Sequence, residues 1–370
     1  MSEFYIRGKQ YSSTEIKDLT WEKFAVLNVQ TMPTGLYKYF PNTIDPKTGR
    51  NYSQEALENN TVFLQQPSLF DDPYDCTLLV DEQEFAICRI AYYACLCGLK
   101  VLPEWDYSKI AYEFSCYLHQ GIQDGRQLID LFPTRAENNK NVFELQHDIF
   151  ALSLQIGLCD FQQSENVWEQ ALYKAIHQEY VEFQEKTVKK FRVACFTESP
   201  YSMLMWAHYA NSHQGICIEY EVPSYVDPYI PMFHNLMPVI YSSKRVPVIE
   251  QCVRSLQPPG LTADILWDIY KYGLLMKSID WKYQNEWRLV SCDDLLSSDN
   301  GYNCKFFKIK RVYLGNRMNS HGRLKIIEIC KRNQIPYIGV TVAPNRYEML
   351  DCTQLCENCP KLSAELTLKL

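Results

Sequence analysis

The chain has 370 residues, of which 46% are hydrophobic and 22% are charged, a balance typical of a globular protein with a sizeable core. Its formal net charge of -7 argues against attraction of the whole protein to nucleic acid or to an anionic membrane. The 15 cysteines are odd in number and scattered through apolar stretches, which argues against a disulfide framework and predicts reduced thiols.

The start of the chain and its apolar stretches predict a soluble, cytoplasmic protein. Residues 1–5 show no basic segment followed by an apolar run, so no secretory signal is predicted. The most apolar window, residues 85–102, contains Arg89 and is shorter than the roughly 20 residues that cross a bilayer. We therefore expect a core helix in this window and no membrane association.

Residues 1–81 predict the N-terminal part of an α/β core. Residues 1–30 are expected to be mainly helical, because Ser12 to Glu15 have the pattern of a helix cap. The elements predicted next are a strand at 34–40, a polar loop at 41–60, a strand at 61–64 and a structured loop at 66–75.

Residues 82–190 predict a helical insertion, since apolar residues recur there at spacings of three and four. From residue 191 the period changes, and residues 193–220 predict a strand, a short helix and a second strand. Further strands are predicted at 238–241, 287–290, 306–309, 311–314 and 336–340, and helices at 262–280 and 320–332. The predicted fold is α+β, with a mixed, mainly antiparallel sheet core in residues 1–81 and 191–345, the insertion at 82–190 and a Cys-containing tail at 346–370.

A first candidate site lies where the strand ending in Phe196 and Thr197 opens into a helix that carries Trp206, His208 and Tyr209. A strand end holds polar groups rigidly, and the aromatic residues supply a stacking face for a ligand. The alternative is that Trp206 and Tyr209 pack the core and that His208 is a structural histidine. Gly215 is expected to provide either a positive φ or a close approach.

A second candidate site is the pair Glu286 and Arg288, two residues apart at the start of a predicted strand and so on one face of it. The pair could be a simple ion pair. Glu286 could instead accept a hydrogen bond from a sugar hydroxyl and stabilise an oxocarbenium-like centre.

Two groups of residues could hold a metal. Asp71, Asp72 and Asp75 could bind Mg²⁺ or Ca²⁺, although caps and turns also use such acids. Cys352, Cys356 and Cys359 could ligate zinc or an iron–sulfur cluster, with Cys330 as a fourth ligand. We expect incidental reduced thiols and no bound zinc.

The order of several short motifs resembles a widespread prokaryotic family of unknown function, DUF2971. The motifs are Leu36-Tyr37-Lys38-Tyr39, Pro67 to Asp75, Cys195-Phe196-Thr197-Glu198, Met205 to Tyr209, Gly215 to Tyr220, Val239-Ile240-Tyr241 and Glu286-Trp287-Arg288. The resemblance covers roughly residues 35–80 and 190–315, and it departs from the family pattern at Asp71, where that family usually has Asn. It implies a fold and not a reaction.

A looser resemblance to ADP-ribosyltransferases implies a three-part layout for binding NAD. The parts would be Tyr37 to Tyr39 on a first strand, Thr197 with Tyr209, and a late carboxylate, Glu286. This resemblance implies an enzyme that processes NAD as its substrate, acting as a bacterial toxin or phage-defence effector.

The expected catalytic residues are Glu286, Arg288 and His208. The expected substrate-binding residues are Tyr37, Lys38, Tyr39, Ser68, Asp72, Phe196, Thr197, Trp206 and Tyr209. The expected partners are a small nucleotide, a protein or nucleic-acid acceptor, and an immunity or partner protein bound through the helical insertion. We expect Glu286→Gln to abolish turnover with little change in melting temperature.

Two other functions fit the sequence. The first is a non-catalytic ligand-sensing or protein-interaction module of a bacterial defence system, with a pocket at Trp206 and Tyr209. The second is a metal-dependent hydrolase, which would require Asp71, Asp72, Asp75 and Glu286 to converge in space.

Overall fold

The computed structural model describes residues 4–126, 173–174, 176–184, 190–223, 235–255, 262–292 and 300–352. The chain forms two compact units. Unit 1 contains Met1–Asp75, Lys190–Lys244 and Leu275–Leu370, and unit 2 contains Cys76–Lys189 and Arg245–Leu274.

The described residues of unit 1 form three sheets, and the strands of each are given below in the order in which neighbours are hydrogen-bonded. The first contains β2 (Lys9–Tyr11), β1 (Phe4–Ile6), β8 (Ile240–Ser242) and β9 (Met276–Ser278). The second contains β11 (Gly301–Lys305), β4 (Thr61–Gln65), β5 (Phe191–Phe196), β10 (Trp287–Cys292) and β7 (Leu236–Pro238). The third contains β14 (Met349–Asp351), β13 (Tyr337–Val342), β12 (Ile309–Leu314), β6 (Ile216–Glu221) and β3 (Gly35–Phe40).

The strand pairing confirms the predicted α+β class. The pairs β8–β9 and β12–β13 are parallel, and the other described pairs are antiparallel. The helices in the described part of unit 1 include α1 (Ser13–Lys17), α2 (Trp21–Thr31), α3 (Tyr52–Asn59), α6 (Met203–Tyr209) and α9 (Ser320–Arg332).

Side chains along β10 alternate between the apolar core of unit 1 and a polar face of the sheet. Trp287 and Leu289 are buried in an apolar cluster with Phe196 and other strand residues. Because successive side chains of a strand point to opposite faces, Arg288 lies on the other side of the sheet. The apolar face therefore holds the strand in place while the opposite face is available for polar chemistry.

A single bridge between Tyr37 and Thr197 joins β3 to the end of β5. The Tyr37 amide donates to the Thr197 carbonyl at 2.9 Å, and the Thr197 amide donates back to the Tyr37 carbonyl at 2.8 Å. This exchange brings the aromatic strand 35–40 beside the polar end of β5, as the ligand-site hypothesis requires.

Gly215 provides a close approach and not a positive φ. A Cβ at this position would lie 2.0 Å from the Phe40 carbonyl oxygen and 2.9 Å from Ala210 Cα. The left-handed conformations of this turn belong instead to Asn211, Ser212 and His213.

Several predicted elements differ from those observed. The polar loop at 41–60 contains α3, which the Asn51 side chain caps at the Gln54 amide. Residues 4–11 form the hairpin β1–β2, where a mainly helical segment was expected. Phe306 and Phe307 pack in the core, and the strand predicted at 306–309 is replaced by β11 and β12. Here the apolar residues that suggested a strand are core anchors between two strands.

Unit 2 is helical among its described residues. Its helices include α4 (Glu82–Leu96), α5 (Tyr107–Gln123), α7 (Ile249–Ser255) and α8 (Ala263–Ile269), which is followed by a π-helical turn, Tyr270–Leu274. Residues 176–184 are also helical. Residues 245–274 were expected in the sheet core, but Val248, Cys252 and Ile265 share an apolar cluster with Phe85 and Ile90. Within the described part of the chain, no helix has the length and hydropathy needed to cross a membrane.

Candidate functional site

Unit 1 contains a cavity of about 570 Å³ between β3, the segment 63–75, β5, α6 and the segment 277–286. Many of the residues expected at a site line this one cavity. They are Tyr37, Lys38, Tyr39, Asp72, Phe196, His208, Tyr209 and Glu286. The early aromatic strand, the helix after β5 and the late acid thus meet around a shared space.

Four expected site residues lie elsewhere. Ser68 is exposed on a 3-10 turn, Pro67–Leu69, and Arg288 is fully buried. Thr197 is buried and donates its hydroxyl to the Gln284 carbonyl. Trp206 has no exposed surface, and its indole Nε1 donates to the Pro200 carbonyl at 2.7 Å. Trp206 therefore packs the core, where it contacts the Tyr39 ring edge-on at 5.1 Å.

Four charged side chains form a buried cluster at the cavity wall. Arg288 donates from Nε to Glu286 Oε1 at 2.7 Å and from Nη2 to Asp75 Oδ1 at 2.6 Å. Lys277 Nζ lies 2.7 Å from Glu286 Oε2 and 3.0 Å from Asp75 Oδ2. Each carboxylate is thus bridged by both cations, and this pairing offsets the cost of burying all four charges.

The cluster fixes the charge of Glu286 and Lys277. Burial alone would raise the pKa of Glu286, but Arg288 and Lys277 outweigh it and lower this pKa to about 2. Burial would lower the pKa of Lys277, and the Glu286 and Asp75 carboxylates reverse this and raise it. Glu286 is therefore an ionised carboxylate held in one orientation at neutral pH.

A hydrogen-bond chain connects the cluster to Tyr209. Lys277 Nζ donates to Gln284 Oε1 at 3.0 Å, and Gln284 Nε2 donates to the Tyr209 hydroxyl oxygen at 2.8 Å. Burial raises the pKa of Tyr209 to about 12, so it remains a hydroxyl at neutral pH. Because its oxygen accepts from Gln284, its proton is available to a ligand in the cavity.

Aromatic side chains form much of the remaining wall. His208, an exposed residue on α6, lies with its ring centroid 6.5 Å from that of Trp281. Phe196 on β5 borders the cavity but is buried and stacks on Phe306 in the core. His208, Trp281 and Tyr37 line the wall and offer ring faces to a planar ligand group.

The structure assigns different surroundings to the four acids expected in a metal-dependent hydrolase. Asp71, Asp72, Asp75 and Glu286 all line the cavity. Asp72 also accepts from the Tyr74 amide at 2.9 Å, a turn interaction, while Asp75 and Glu286 are bound by Lys277 and Arg288. Among the described residues, no three His, Cys, Asp or Glu side chains are arranged to hold a metal ion.

The three tail cysteines, considered as metal ligands, lie only partly within the described residues. Cys352 is half-buried near the end of the described chain, whereas Cys356 and Cys359 lie outside the described residues. The sequence-based expectation of reduced thiols without zinc therefore stays a prediction.

Sequence reasoning missed Lys277 and Gln284 and did not assign Asp75 as a counterion. Lys277 fell within a predicted helix, 262–280, whose last part is in fact β9. Gln284 is the last residue of a 3-10 turn, and the next residue, Asn285, adopts a left-handed φ of 42°. This polar stretch before Glu286 was the available signal for a functional turn.

The low pKa of Glu286 predicts an acid-sensitive unit 1. A carboxylate whose pKa is lowered by folding stabilises the fold above its unfolded pKa, and this stability is lost as the pH falls through the folded pKa. We expect the urea midpoint of unfolding to fall between about pH 4.5 and 2, from the ordinary value of Glu to the lowered one. Glu286→Gln should show a weaker fall over this window, and an equal fall in both proteins would contradict the assignment.

Comparison with known proteins gives one family and no reaction. No curated protein and no solved structure matches the chain, so the looser resemblance to ADP-ribosyltransferases has no support from them. The model of the family DUF2971 matches residues 205–289, a segment that includes His208, Tyr209, Lys277 and Glu286 of the cavity wall. Residues 205–289 are therefore similar to DUF2971, a family of proteins of unknown function.

Proposed function

We propose that the cavity of unit 1 binds NAD and that the protein is an NAD-processing enzyme of the ADP-ribosyltransferase kind. The observation that carries this proposal is an ionised, rigidly held carboxylate, Glu286, in the wall of a cavity rich in aromatic side chains. Its volume of about 570 Å³ suits a ligand of this size.

Glu286 has the properties that cleavage of a glycosidic bond needs. As the bond to nicotinamide breaks, positive charge develops on the ribose, and a fixed carboxylate stabilises that charge. Each Glu286 oxygen accepts one bond from Arg288 or Lys277, and a carboxylate oxygen has a second lone pair. One of these remaining lone pairs would accept a hydrogen bond from a ribose hydroxyl.

The charges around the cavity favour the nicotinamide end of NAD. The carboxylates Asp71, Asp72, Asp75 and Glu286 outnumber the cations Lys38, Lys277 and Arg288 by one. A pyridinium ring carries positive charge and stacks on aromatic faces. The nicotinamide ribose would therefore enter the cavity, and the diphosphate would lie toward its mouth.

A second candidate function is a ligand sensor without turnover. The observation in its favour is that Asp75 and Glu286 are already bound by two cations, which suits a wall that holds a ligand as well as one that reacts with it.

We extend the enzyme proposal to a toxin or defence effector, because an enzyme of this kind would consume NAD in its host.

Purified full-length protein incubated with NAD tests the first function against the second. We expect release of nicotinamide, followed by chromatography, in the presence of protein, DNA or RNA acceptors and of water alone. Thermal stabilisation by NAD without nicotinamide release would instead support the sensor. If NAD causes neither nicotinamide release nor thermal stabilisation, both proposed functions are overturned.

A further inference from the structure

Two lysines line the same cavity in opposite surroundings. Lys277 contacts two carboxylates, Asp75 and Glu286, and is held as a cation. Lys38 on β3 forms no ion pair with a carboxylate of the described residues, and its Nζ donates to the Cys195 carbonyl at 3.1 Å. The contrast shows that, of these two lysines, Lys277 is the one engaged in charge balance.

The immediate neighbours of Lys38 are weakly polar. Its Nζ lies 5.5 Å from the centroid of the Phe196 ring and 5.8 Å from that of Phe40. The titratable groups that face it are the Cys195 thiol on β5 and the Glu286 carboxylate, and the residue paired with it on β6 is Ile218. Rings and a backbone carbonyl stabilise an ammonium ion less than water does.

We propose that Lys38 is a nucleophilic amine that binds an aldehyde ligand in this cavity as an imine. The amine lone pair adds to the carbonyl carbon, and a proton moves from nitrogen to oxygen to give a carbinolamine. Loss of water then forms the C=N bond, so that amine and aldehyde yield imine and water without oxidation or reduction. The proposal is independent of NAD cleavage.

The electrostatics of the site agree with this role. Burial lowers the pKa of Lys38, and the Cys195 and Glu286 groups offset only part of that effect. A lower pKa leaves a larger fraction of neutral amine at pH 7, and the neutral amine is the nucleophile. The bond to the Cys195 carbonyl uses one N–H and leaves the lone pair free.

Reductive labelling of the full-length protein tests the proposal. Pyridoxal would supply an aromatic aldehyde, sodium cyanoborohydride would reduce any imine, and peptide mass spectrometry would give the labelling rate of each lysine. Lys47 and Lys331 are exposed comparators in the same chain, and Lys277 is the comparator within the cavity.

We expect Lys38 to label about tenfold faster than the exposed comparators at pH 7, because its lowered pKa leaves more neutral amine. Its rate should also fall less than theirs between pH 9 and pH 7, and Lys277 should stay unlabelled. Lys38→Arg keeps the positive charge and should leave the labelling of all other lysines unchanged. A Lys38 rate equal to or below that of Lys47 and Lys331 would overturn the proposal, whether or not NAD is consumed.

Discussion

Arg288→Met is expected to lower the free energy of unfolding by about 3–5 kcal/mol at neutral pH, because it leaves two buried carboxylates with one cation. Arg288 has no exposed surface, and its guanidinium bridges Asp75 and Glu286 at 2.6 and 2.7 Å. Methionine fills a similar volume, so the loss would report on charge more than on packing. Urea unfolding followed by tryptophan fluorescence and circular dichroism measures it.

The pH dependence separates this electrostatic loss from a packing defect. Without Arg288, the pKa of Glu286 in the folded protein should rise, so the difference between variant and wild type should shrink between about pH 5 and pH 2. A packing defect would instead give a deficit that does not change with pH. Arg288→Lys retains the charge but cannot bridge both acids in the same way. It should lower the free energy of unfolding less than Arg288→Met does.

An exposed ion pair provides the matched control for Arg288. Arg50 pairs with Glu55 at the surface of unit 1, so Arg50→Met should have no measurable effect on unfolding. If Arg288→Met were as mild as Arg50→Met, the buried cluster would not stabilise unit 1.

Local patterns predicted the parts of the site that are close in sequence. Glu286 and Arg288 were assigned to one strand face from their spacing of two, and their side chains do contact each other at 2.7 Å. The alternating residues at 34–40 predicted a strand, and β3 carries Tyr37 and Tyr39 to the cavity. In both cases the period of the backbone determines the direction of the side chain.

The partners of these residues could not be predicted because they depend on distant pairing. Asp75 lies 213 residues from Arg288, and no local pattern indicates which acid or base will neutralise it. Residue type was also ambiguous within α6, where Trp206 is a core residue and Tyr209 lines the cavity. An aromatic side chain suits a core and a ligand wall equally well, so only the packing around it decides.

Glu286→Gln is expected to reduce NAD consumption by at least about 100-fold, because glutamine cannot supply the charge that stabilises the developing cation. The sequence alone suggested an unchanged melting temperature for this variant. The buried cluster indicates otherwise, since Lys277 and Arg288 would keep only the Asp75 carboxylate, and we expect a loss of about 3 kcal/mol. Loss of activity by itself would therefore not distinguish chemistry from unfolding.

Leu289→Ala resolves this ambiguity from the same strand. Leu289 is buried in the apolar core on the opposite face of β10, and its truncation should cost about 2–5 kcal/mol without altering the cavity wall. Rates of nicotinamide release should be compared per folded molecule, at a temperature where both variants remain mainly folded. Retained turnover in Leu289→Ala with its loss in Glu286→Gln would assign the chemistry to the carboxylate. Equal turnover in the two variants would leave Glu286 with a structural role and would contradict its assignment as the catalytic carboxylate.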